Sequence, residues 1–311
     1  MTEFVRTPDT NFEVLTDFPY IPNYHGWEDM RMHYIDEGPK DGPVMLLLHG
    51  TPTWAYLYRH MIPGLVDAGF RCIAPDHMGF GKSETPQDKV YTVQTHVENL
   101  ERFIDDLGLT DITFVCQDWG GPITGAYSIR HPERVKRVFL MNTLFGYGGG
   151  QAGAEKTPWF QWIEKHEEAG TLNGILGELG STVLSVMKII GFQNSAAVDE
   201  TWIRAYSAPF PDRESCIGAI NFPLDVHYQR FIPYVMAGLE TGNLDKVKAI
   251  PAMLASGDAD FGIAQEHSIS DFRGLYPDAP VVKLPGVGHF CQEDVPETLV
   301  ALIQGFMQMH P

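Results

Sequence analysis

Cysteine is scarce in this sequence, with four residues among 311, and the four are far apart: Cys72, Cys116, Cys216 and Cys291. This number and spacing fit neither a disulfide framework nor a C-x-x-C zinc site. The sequence therefore predicts reduced and mostly buried thiols. The 12 histidines are scattered without the spacing of metal ligands, so we predict no bound metal.

Positive charge is also in short supply. Lys and Arg number 22 against 40 Asp and Glu, which gives a formal net charge of −18. Because phosphate binding needs a basic surface, this balance excludes nucleic acid as a partner. We expect the acidic groups to be spread over the outer surface, where they favour solubility.

Long apolar runs are absent as well. The two most apolar stretches are residues 44–58, which Gly and Pro interrupt, and residues 179–187, which span about half of a bilayer. The first ten residues contain Glu3 and Arg6 and lack the apolar run of a secretory signal. The sequence therefore predicts a cytoplasmic protein with no membrane segment.

Short runs of Val, Ile, Leu and Phe alternate with helical patterns, which is typical of helices packed around a parallel sheet. The predicted strands are residues 32–35, 44–48, 71–74, 112–116, 138–141, 252–256 and 281–284. Apolar spacing predicts one helix over residues 91–107, which Gly108 ends, and a second after Gly120 and Gly121 that reaches His131.

The alternation of strands and helices fails between residues 146 and 228. This stretch has no clear strand and contains helical patterns at 159–168, 172–190 and 199–206, and strands resume after residue 250. We therefore predict one α/β core domain, residues 1–146 and 229–311, with a helical cap inserted at 147–228. The glycine-rich residues 146–153 are predicted to be a hinge.

The most informative segment is residues 112–121, ITFVCQDWGG, an apolar strand that continues into a small-residue turn and a helix. This is the context of a nucleophile elbow, a strained turn that presents one side chain above a sheet. Asp118 occupies the nucleophile position, and Cys116 replaces the first Gly of the usual motif. Because a carboxylate is ionised at neutral pH, Asp118 can attack an sp³ carbon that bears a leaving group. The alternative is that Asp118 only caps the following helix.

A second predicted strand, residues 44–48, is followed by His49-Gly50-Thr51-Pro52. In the elbow architecture the loop after this strand supplies a backbone N–H group to the oxyanion hole. We predict that the N–H groups of Thr51 and Trp119 hold the oxyanion that forms on Asp118 during ester hydrolysis. His49 is expected to order this loop rather than to transfer protons.

Two groups near the C-terminal end complete a catalytic set. Asp260 follows one predicted strand, and His289 follows the next in a glycine-rich loop. The chain order of nucleophile, acid and histidine is that of elbow hydrolases. We predict that His289 removes a proton from water and that Asp260 orients the imidazole and stabilises its cation. Asp258 is the alternative acid.

Together, the motifs HGTPTW, QDWGG, SGDAD and GVGHF resemble the α/β-hydrolase superfamily and, within it, the haloalkane dehalogenases. The resemblance is strongest to the subfamily whose second halide-binding tryptophan lies in the cap, and it covers nearly the whole chain. It implies an α/β-hydrolase fold with a mostly parallel, eight-stranded sheet flanked by helices. One departure is Thr51, because members usually have Glu or Asn at this position.

Displacement of a halide builds negative charge on the halogen, which N–H donors stabilise. An indole N–H is a donor with no competing basic atom, so Trp119, beside the nucleophile, is the first candidate. The resemblance points to Trp162 as the second halide ligand. Trp159 lies on the same helical face and is the alternative. Trp202 is expected to pack within the cap.

The resemblance implies a cofactor-free detoxifying hydrolase. It would convert a small apolar halogenated substrate and water to a primary alcohol, halide and a proton, as a monomer or weak homo-oligomer. An epoxide hydrolase is the alternative enzyme, with Asp118 as nucleophile and Tyr206 and Tyr228 as acids. A fluoroacetate-type dehalogenase would have Arg where Trp119 stands. A non-catalytic ligand receptor would not need the three catalytic groups together.

Overall fold

The computed structural model describes residues 3–27, 30–149 and 155–311. Its central element is a sheet of eight strands in the spatial order β1-β2-β4-β3-β5-β6-β7-β8. The strands are β1 Asn23–Trp27, β2 Met30–Glu37, β3 Val44–Leu48, β4 Arg71–Pro75, β5 Ile112–Gln117, β6 Val135–Met141, β7 Ala252–Ala259 and β8 Val281–Gly288. Strand β2 is antiparallel to both neighbours, and the other pairs are parallel. A separate antiparallel ribbon pairs Phe4–Val5 with Thr85–Pro86.

The middle of the sheet is buried on both faces. Every residue of β5 is buried, as are all residues of β3 after the first. Met45 of β3 pairs in parallel with Thr113 of β5, which brings the carboxyl ends of the two strands to the same edge. Strands buried on both faces are continuous apolar runs, which is why the sequence identifies them.

The seven strands expected from the sequence and the α/β-hydrolase fold class are confirmed. Strand β1 was not predicted. Its sequence, Asn-Tyr-His-Gly-Trp, lacks apolar alternation, and the strand pairs only with β2 at the edge of the sheet. An edge strand need not be apolar, so the sequence of β1 lacks the pattern from which strands are predicted.

Helices surround the sheet and fill the segment between β6 and β7. In chain order they are α1 Ile62–Asp67, α2 Val93–Asp106, α3 Gly120–Arg130, α4 Pro158–Glu168, α5 Leu172–Leu176, α6 Leu179–Ile190, α7 Glu200–Ser207, α8 Ile217–His227, α9 Ile232–Leu239, α10 Leu244–Lys248, α11 Gln265–Leu275, α12 Cys291–Asp294 and α13 Pro296–Met309. Within the described ranges, each helix is too short or too polar to cross a bilayer.

Helix α2 shows how local sequence sets these bounds. The hydroxyl of Thr92 accepts a hydrogen bond from the backbone N–H of Thr95 at 3.3 Å, which caps the first turn. The helix ends before Gly108, whose φ of +62° favours glycine. The predicted helix over residues 91–107 is confirmed, with its ends moved inward by one or two residues.

Between β6 and β7 the described residues form helices and no strand, in agreement with the expected insertion. The helix predicted over residues 172–190 is divided, because the chain leaves helical geometry at Gly177 between α5 and α6. The cap limits at residues 147 and 228 stay a prediction. Residues 150–153 of the predicted hinge lie outside the described residues.

A buried ion pair of the core also binds a helix of the cap. Nη1 of Arg59 donates to Oε1 of Glu293 at 2.5 Å, and both side chains are almost fully enclosed. The Glu293 carboxylate also accepts from the indole N–H of Trp202 at 3.2 Å and from the hydroxyl of Tyr206, both on α7. One carboxylate on α12 therefore connects the loop after β3 with a cap helix.

Replacement of Glu293 by Gln should destabilise the protein by about 3 kcal/mol, because it leaves the buried Arg59 guanidinium without its main counter-charge. The free energy of unfolding from urea denaturation measures the effect. The control is Glu200→Gln, which breaks the exposed Glu200–Arg204 pair on α7. The control should cost less than about 1 kcal/mol, and equal losses in the two variants would contradict the role given to burial.

Candidate active site

Asp118 lies at the sharp turn between β5 and α3. Its φ is +50°, a left-handed conformation that a non-glycine residue adopts at a cost of about 1–3 kcal/mol. Neighbouring glycines permit the turn: a Cβ atom on Gly120 would lie 2.3 Å from the carbonyl oxygen of Leu48, and one on Gly50 would lie 1.9 Å from Oδ1 of Asp118. Cys116 fits at the end of β5, with Sγ 2.9 Å from the Thr124 hydroxyl oxygen.

The Asp118 carboxylate faces the loop after β3. The backbone N–H of Thr51 donates to Oδ1 of Asp118 at 2.8 Å. Trp119, not Asp118, occupies the N-cap position of α3, and no side chain caps that helix. The alternative view of Asp118 as a helix cap is therefore wrong. The structure shows a contact to the carboxylate for Thr51 and none for the backbone N–H of Trp119, the second expected donor.

His289 lies between two carboxylates. Its Nδ1 is 3.0 Å from both Oδ1 and Oδ2 of Asp260, and its Nε2 is 3.3 Å from Oδ2 of Asp118. The Asp118 contact has the distance of an ion pair without the geometry of a hydrogen bond. The structure thus brings together the three residues that the sequence placed at the ends of three different strands.

The charge of His289 depends on both carboxylates. Burial alone would lower the pKa of its imidazole, but the nearby charges of Asp260 and Asp118 raise that pKa to about 10. The two carboxylates therefore favour the protonated form of the imidazole. Removal of the charge on Asp118 would remove one of the causes that keep the proton on His289.

Asp260 is fixed by hydrogen bonds from two directions. Its Oδ1 accepts from the backbone N–H groups of Gly262 at 2.8 Å and Ile263 at 2.9 Å, and its Oδ2 accepts from Nδ2 of Asn142 at 3.0 Å. Asp258, the alternative acid, instead accepts from the backbone N–H of Gly286 in an exposed position.

Asn142 is a site residue that sequence reasoning missed. It follows β6 with a φ of +43°, and it also donates to the carbonyl oxygen of Gly288 at 2.9 Å, next to His289. Its Oδ1 accepts from the backbone N–H of Gly257 at 3.0 Å. The available signal was its position at the end of a central strand, where the carboxyl edge of the sheet gathers functional groups.

A cavity of about 340 Å³ opens in front of Asp118. Most of its wall is apolar; the lining residues include Trp119, Pro122, Leu144, Phe145, Trp159, Phe160, Ile190, Val226, Phe231 and Val235. Glu155 is the lining carboxylate other than Asp118 within the described residues, so this part of the chain shows no acidic cluster there. A larger open groove, of about 870 Å³, lies away from all of these groups.

The candidate halide ligands occupy different positions. Trp119 lines the cavity, and its ring stacks on Phe222 with the centroids 4.3 Å apart and the planes at 13°. Trp159 also lines the cavity and is 4% exposed. Trp162 is absent from the wall and instead stacks on Trp159, with a centroid distance of 5.2 Å. The ring that meets the cavity is therefore Trp159, and the choice of Trp162 or Trp159 as second halide ligand stays a prediction.

The two tyrosines expected of an epoxide hydrolase are not in the cavity wall. The Tyr206 hydroxyl is fully buried and donates to Glu293, and burial raises its pKa well above the ordinary value. Tyr228 is exposed and donates to Glu167. Neither hydroxyl faces Asp118, so their assignment as acids is wrong.

Two other expectations concern residues outside the reaction. The indole N–H of Trp202 donates to Glu293 at 3.2 Å, which agrees with a packing role in the cap. His49 is fully buried, and its Nδ1 contacts the carbonyl oxygen of Gly50 at 2.9 Å. Burial lowers the pKa of His49, so it is neutral and orders the loop that carries Thr51.

Comparison with known proteins agrees with this geometry. A family model of the alpha/beta hydrolase fold matches residues 43–296. The chain is therefore an α/β hydrolase, and the elbow, acid and histidine lie within the matched region.

Individual relatives narrow the class. The haloalkane dehalogenase of Psychrobacter cryohalolentis is 35% identical over 323 aligned residues, 99% of each chain. A cis-3-alkyl-4-alkyloxetan-2-one decarboxylase of Xanthomonas campestris is 34% identical and covers 90% of this chain and 93% of its own. The haloalkane dehalogenase DpaA of Paraglaciecola agarilytica has a TM-score of 0.78 at 34% identity over 97% of both chains. This chain belongs to the haloalkane dehalogenase family.

Family membership confirms the broader part of the resemblance drawn from the four motifs. Membership of the subfamily with a second halide-binding tryptophan in the cap stays a prediction. The Paraglaciecola enzyme is described as tetrameric. A monomer or weak homo-oligomer stays a prediction for this chain, as does a cytoplasmic location.

The raised pKa of His289 predicts a specific loss of stability at high pH. The folded protein holds a proton on His289 up to a pH of about 10, whereas an unfolded histidine loses it near 6.5. The bound proton therefore stabilises the fold fully below pH 6.5, and this contribution is lost as pH rises towards 10.

Melting temperatures of the native protein and a His289→Gln variant, measured across this pH range, test the prediction. Other groups titrate in both proteins, so the difference between the two isolates His289. As the pH rises, the melting temperature of the native protein should fall steadily relative to that of the variant. A constant difference would contradict the assigned ion pairs.

Proposed function

We propose that this protein hydrolyses the carbon–halogen bond of small haloalkanes to give a primary alcohol, a halide ion and a proton. One observation supports the proposal most strongly. The Asp118 carboxylate, at a strained elbow, faces an apolar cavity whose wall contains two indole rings, Trp119 and Trp159. A carboxylate nucleophile with neutral N–H donors, in a mostly apolar wall whose other described carboxylate is Glu155, suits displacement of a halide.

In the first step Asp118 attacks the carbon that bears the halogen. Oδ1 accepts the hydrogen bond of Thr51, whereas Oδ2 lies 3.3 Å from Nε2 of His289 without a hydrogen bond, so we assign Oδ2 as the attacking atom. The new O–C bond forms as the carbon–halogen bond breaks, and the bonding pair leaves with the halide. The product is an alkyl ester of Asp118, with Oδ1 as its carbonyl oxygen.

The leaving halide needs donors on the side of the carbon opposite Asp118. Within the described part of the chain, no hydrogen bond occupies the indole N–H of Trp119, Trp159 or Trp162, and of these three rings Trp119 and Trp159 line the cavity. Stacking of Trp119 on Phe222 fixes the plane of its indole ring. We assign the halide to Trp119 and Trp159, and we give Trp162 the role of support behind Trp159.

In the second step water hydrolyses the ester. Alkylation removes the negative charge of Asp118 and with it one cause of the high pKa of His289, so the imidazolium releases its proton to solvent, as the proton product of the reaction, and can then act as a base. His289 then takes a proton from water, and the resulting hydroxide attacks the ester carbonyl carbon. Oδ1 becomes an oxyanion, and we assign the backbone N–H groups of Thr51 and Trp119 as its hydrogen-bond donors. Collapse of this intermediate breaks the bond between the Asp118 carbonyl carbon and the alkoxide oxygen, and the His289 imidazolium gives its proton to the departing alkoxide. The carboxylic acid left on Asp118 then returns a proton to His289, which restores the starting site.

A second candidate reaction follows from the Xanthomonas relative, whose name describes decarboxylation of a dialkyl oxetan-2-one. The apolar wall of the cavity suits the alkyl groups of either substrate, so the products decide between the two reactions. A panel of 1-bromobutane, 1-chlorobutane, 1,2-epoxybutane and a dimethyl oxetan-2-one separates the candidates. Halide release supports the proposal, whereas diol or carbon dioxide without halide would contradict it.

A His289→Phe variant should stop after the first step, because no base remains to activate water. Incubation with 1-bromobutane should release one equivalent of bromide and increase the protein mass by one butyl group on the peptide that contains Asp118. The control variant, Asp118→Ala with His289→Phe, should show neither. Continued turnover by the His289→Phe protein would exclude the ester mechanism.

The assignment of the second halide ligand predicts different effects of two neighbouring substitutions. Loss of a hydrogen bond to a charged group costs about 1.5–3 kcal/mol, so Trp159→Phe should weaken bromide binding by roughly 10- to 100-fold. The matched variant Trp162→Phe should change it by less than about 3-fold, because it alters only stacking. The inhibition constant of bromide as a product measures both, and the reverse order would return the role to Trp162.

A further inference from the structure

The first turn of cap helix α4 contacts the loop that follows Asp260. The Thr157 hydroxyl donates to the carbonyl oxygen of Gly262 at 2.9 Å. The backbone N–H of Trp159 donates to the carbonyl oxygen of Phe261 at 3.0 Å. Helix α4 thus begins with two hydrogen bonds to the loop that carries the catalytic acid.

The two carbonyl groups that accept these hydrogen bonds belong to peptide units whose N–H groups donate to Asp260. The unit formed by the carbonyl of Phe261 and the N–H of Gly262 accepts from Trp159 and donates to Oδ1 of Asp260. The next unit, from Gly262 to Ile263, accepts from Thr157 and donates to the same oxygen. Each peptide therefore links a donor of the cap to the carboxylate that holds His289.

A side chain at Gly262 would crowd the catalytic groups. A Cβ atom on Gly262 would lie 3.1 Å from Nδ1 of His289 and 3.3 Å from Oδ1 of Asp260. The connection between the cap and the acid is consequently made by backbone groups. Hydrogen bonds in a chain polarise one another, so a donor at the carbonyl strengthens the N–H at the other end.

Thr157 is unusual for its position. It is the N-cap residue of α4, where a threonine hydroxyl commonly accepts from the backbone of its own helix, and here it makes no such bond. The side chain is buried, lines the cavity and directs its hydroxyl to the Asp260 loop instead.

We propose that Thr157 is a positioning residue of the reaction, whose hydroxyl holds the Gly262–Ile263 peptide against Asp260 and so links the seating of α4 to the orientation of His289. The inference rests on the proposed function, because it assigns Thr157 to the ester-hydrolysis step. Loss of the hydroxyl loosens the support of Asp260 and slows activation of water. It leaves the attack of Asp118 nearly unchanged, since that step does not require His289 as a base.

The test compares Thr157→Val, which removes the hydroxyl at nearly constant shape, with Thr157→Ser, which keeps it. Rapid-quench kinetics with 1-bromobutane measure ester formation and ester hydrolysis separately. One lost hydrogen bond of about 1–1.5 kcal/mol should slow hydrolysis in Thr157→Val by roughly 5- to 10-fold. Ester formation should change by less than about 2-fold, and Thr157→Ser should restore hydrolysis to near the native rate.

Thr171→Val is the matched control. Thr171 is also an N-cap threonine in the cap, but its hydroxyl contacts His166 at 2.8 Å, in an exposed position away from the catalytic loop. Both rate constants of this variant should be native.

Two results would overturn the inference. The first is a native rate of ester hydrolysis in Thr157→Val. The second is equal slowing of ester formation and ester hydrolysis in that variant, in proportion to a fall in its melting temperature, with no recovery in Thr157→Ser. The native protein distinguishes this failure from that of the proposed function. If the native protein forms no alkyl ester, the proposed function fails and the inference with it; if it does, only the role of Thr157 is in question.

Discussion

The site depends on the compensation of a buried negative charge. Two carboxylates, Asp118 and Asp260, lie on either side of one imidazole, and withdrawal from water penalises each charge strongly. The cost is offset by the imidazolium of His289 and by N–H donors: Thr51 for Asp118, and Gly262, Ile263 and the Asn142 side chain for Asp260. Compensation of these two charges requires donors and a cation from several elements: the elbow, the loop after β3, and the ends of β6, β7 and β8.

The same balance of charge orders the proposed reaction in time. In the resting site the charges of the two carboxylates raise the pKa of His289 to about 10, which opposes its action as a base. Esterification neutralises Asp118, and the imidazole then becomes able to accept a proton from water. The loss of charge on Asp118 in the first step therefore lets His289 act as the base in the second step.

Much of the fold and the catalytic set could be predicted because both follow local rules. Central strands are continuous apolar runs, and Asp118, Asp260 and His289 each follow a strand that the sequence predicts. The choice between Trp159 and Trp162 could not be made, since residues three apart share a helical face and only the packing of α4 on the core decides which ring meets the cavity. Asn142 and Thr157 were missed because their roles arise from contacts to backbone groups more than 100 positions away. Strand β1 was also missed, because its sequence has no apolar pattern.

The central claim is that water attacks an ester of Asp118 rather than the haloalkane itself. A single turnover in ¹⁸O-labelled water, with the protein in excess over 1-bromobutane, tests it most directly. The account predicts butanol with ordinary oxygen, taken from the Asp118 carboxylate, and one ¹⁸O atom in the peptide that contains Asp118. Labelled butanol together with an unlabelled Asp118 peptide would contradict it.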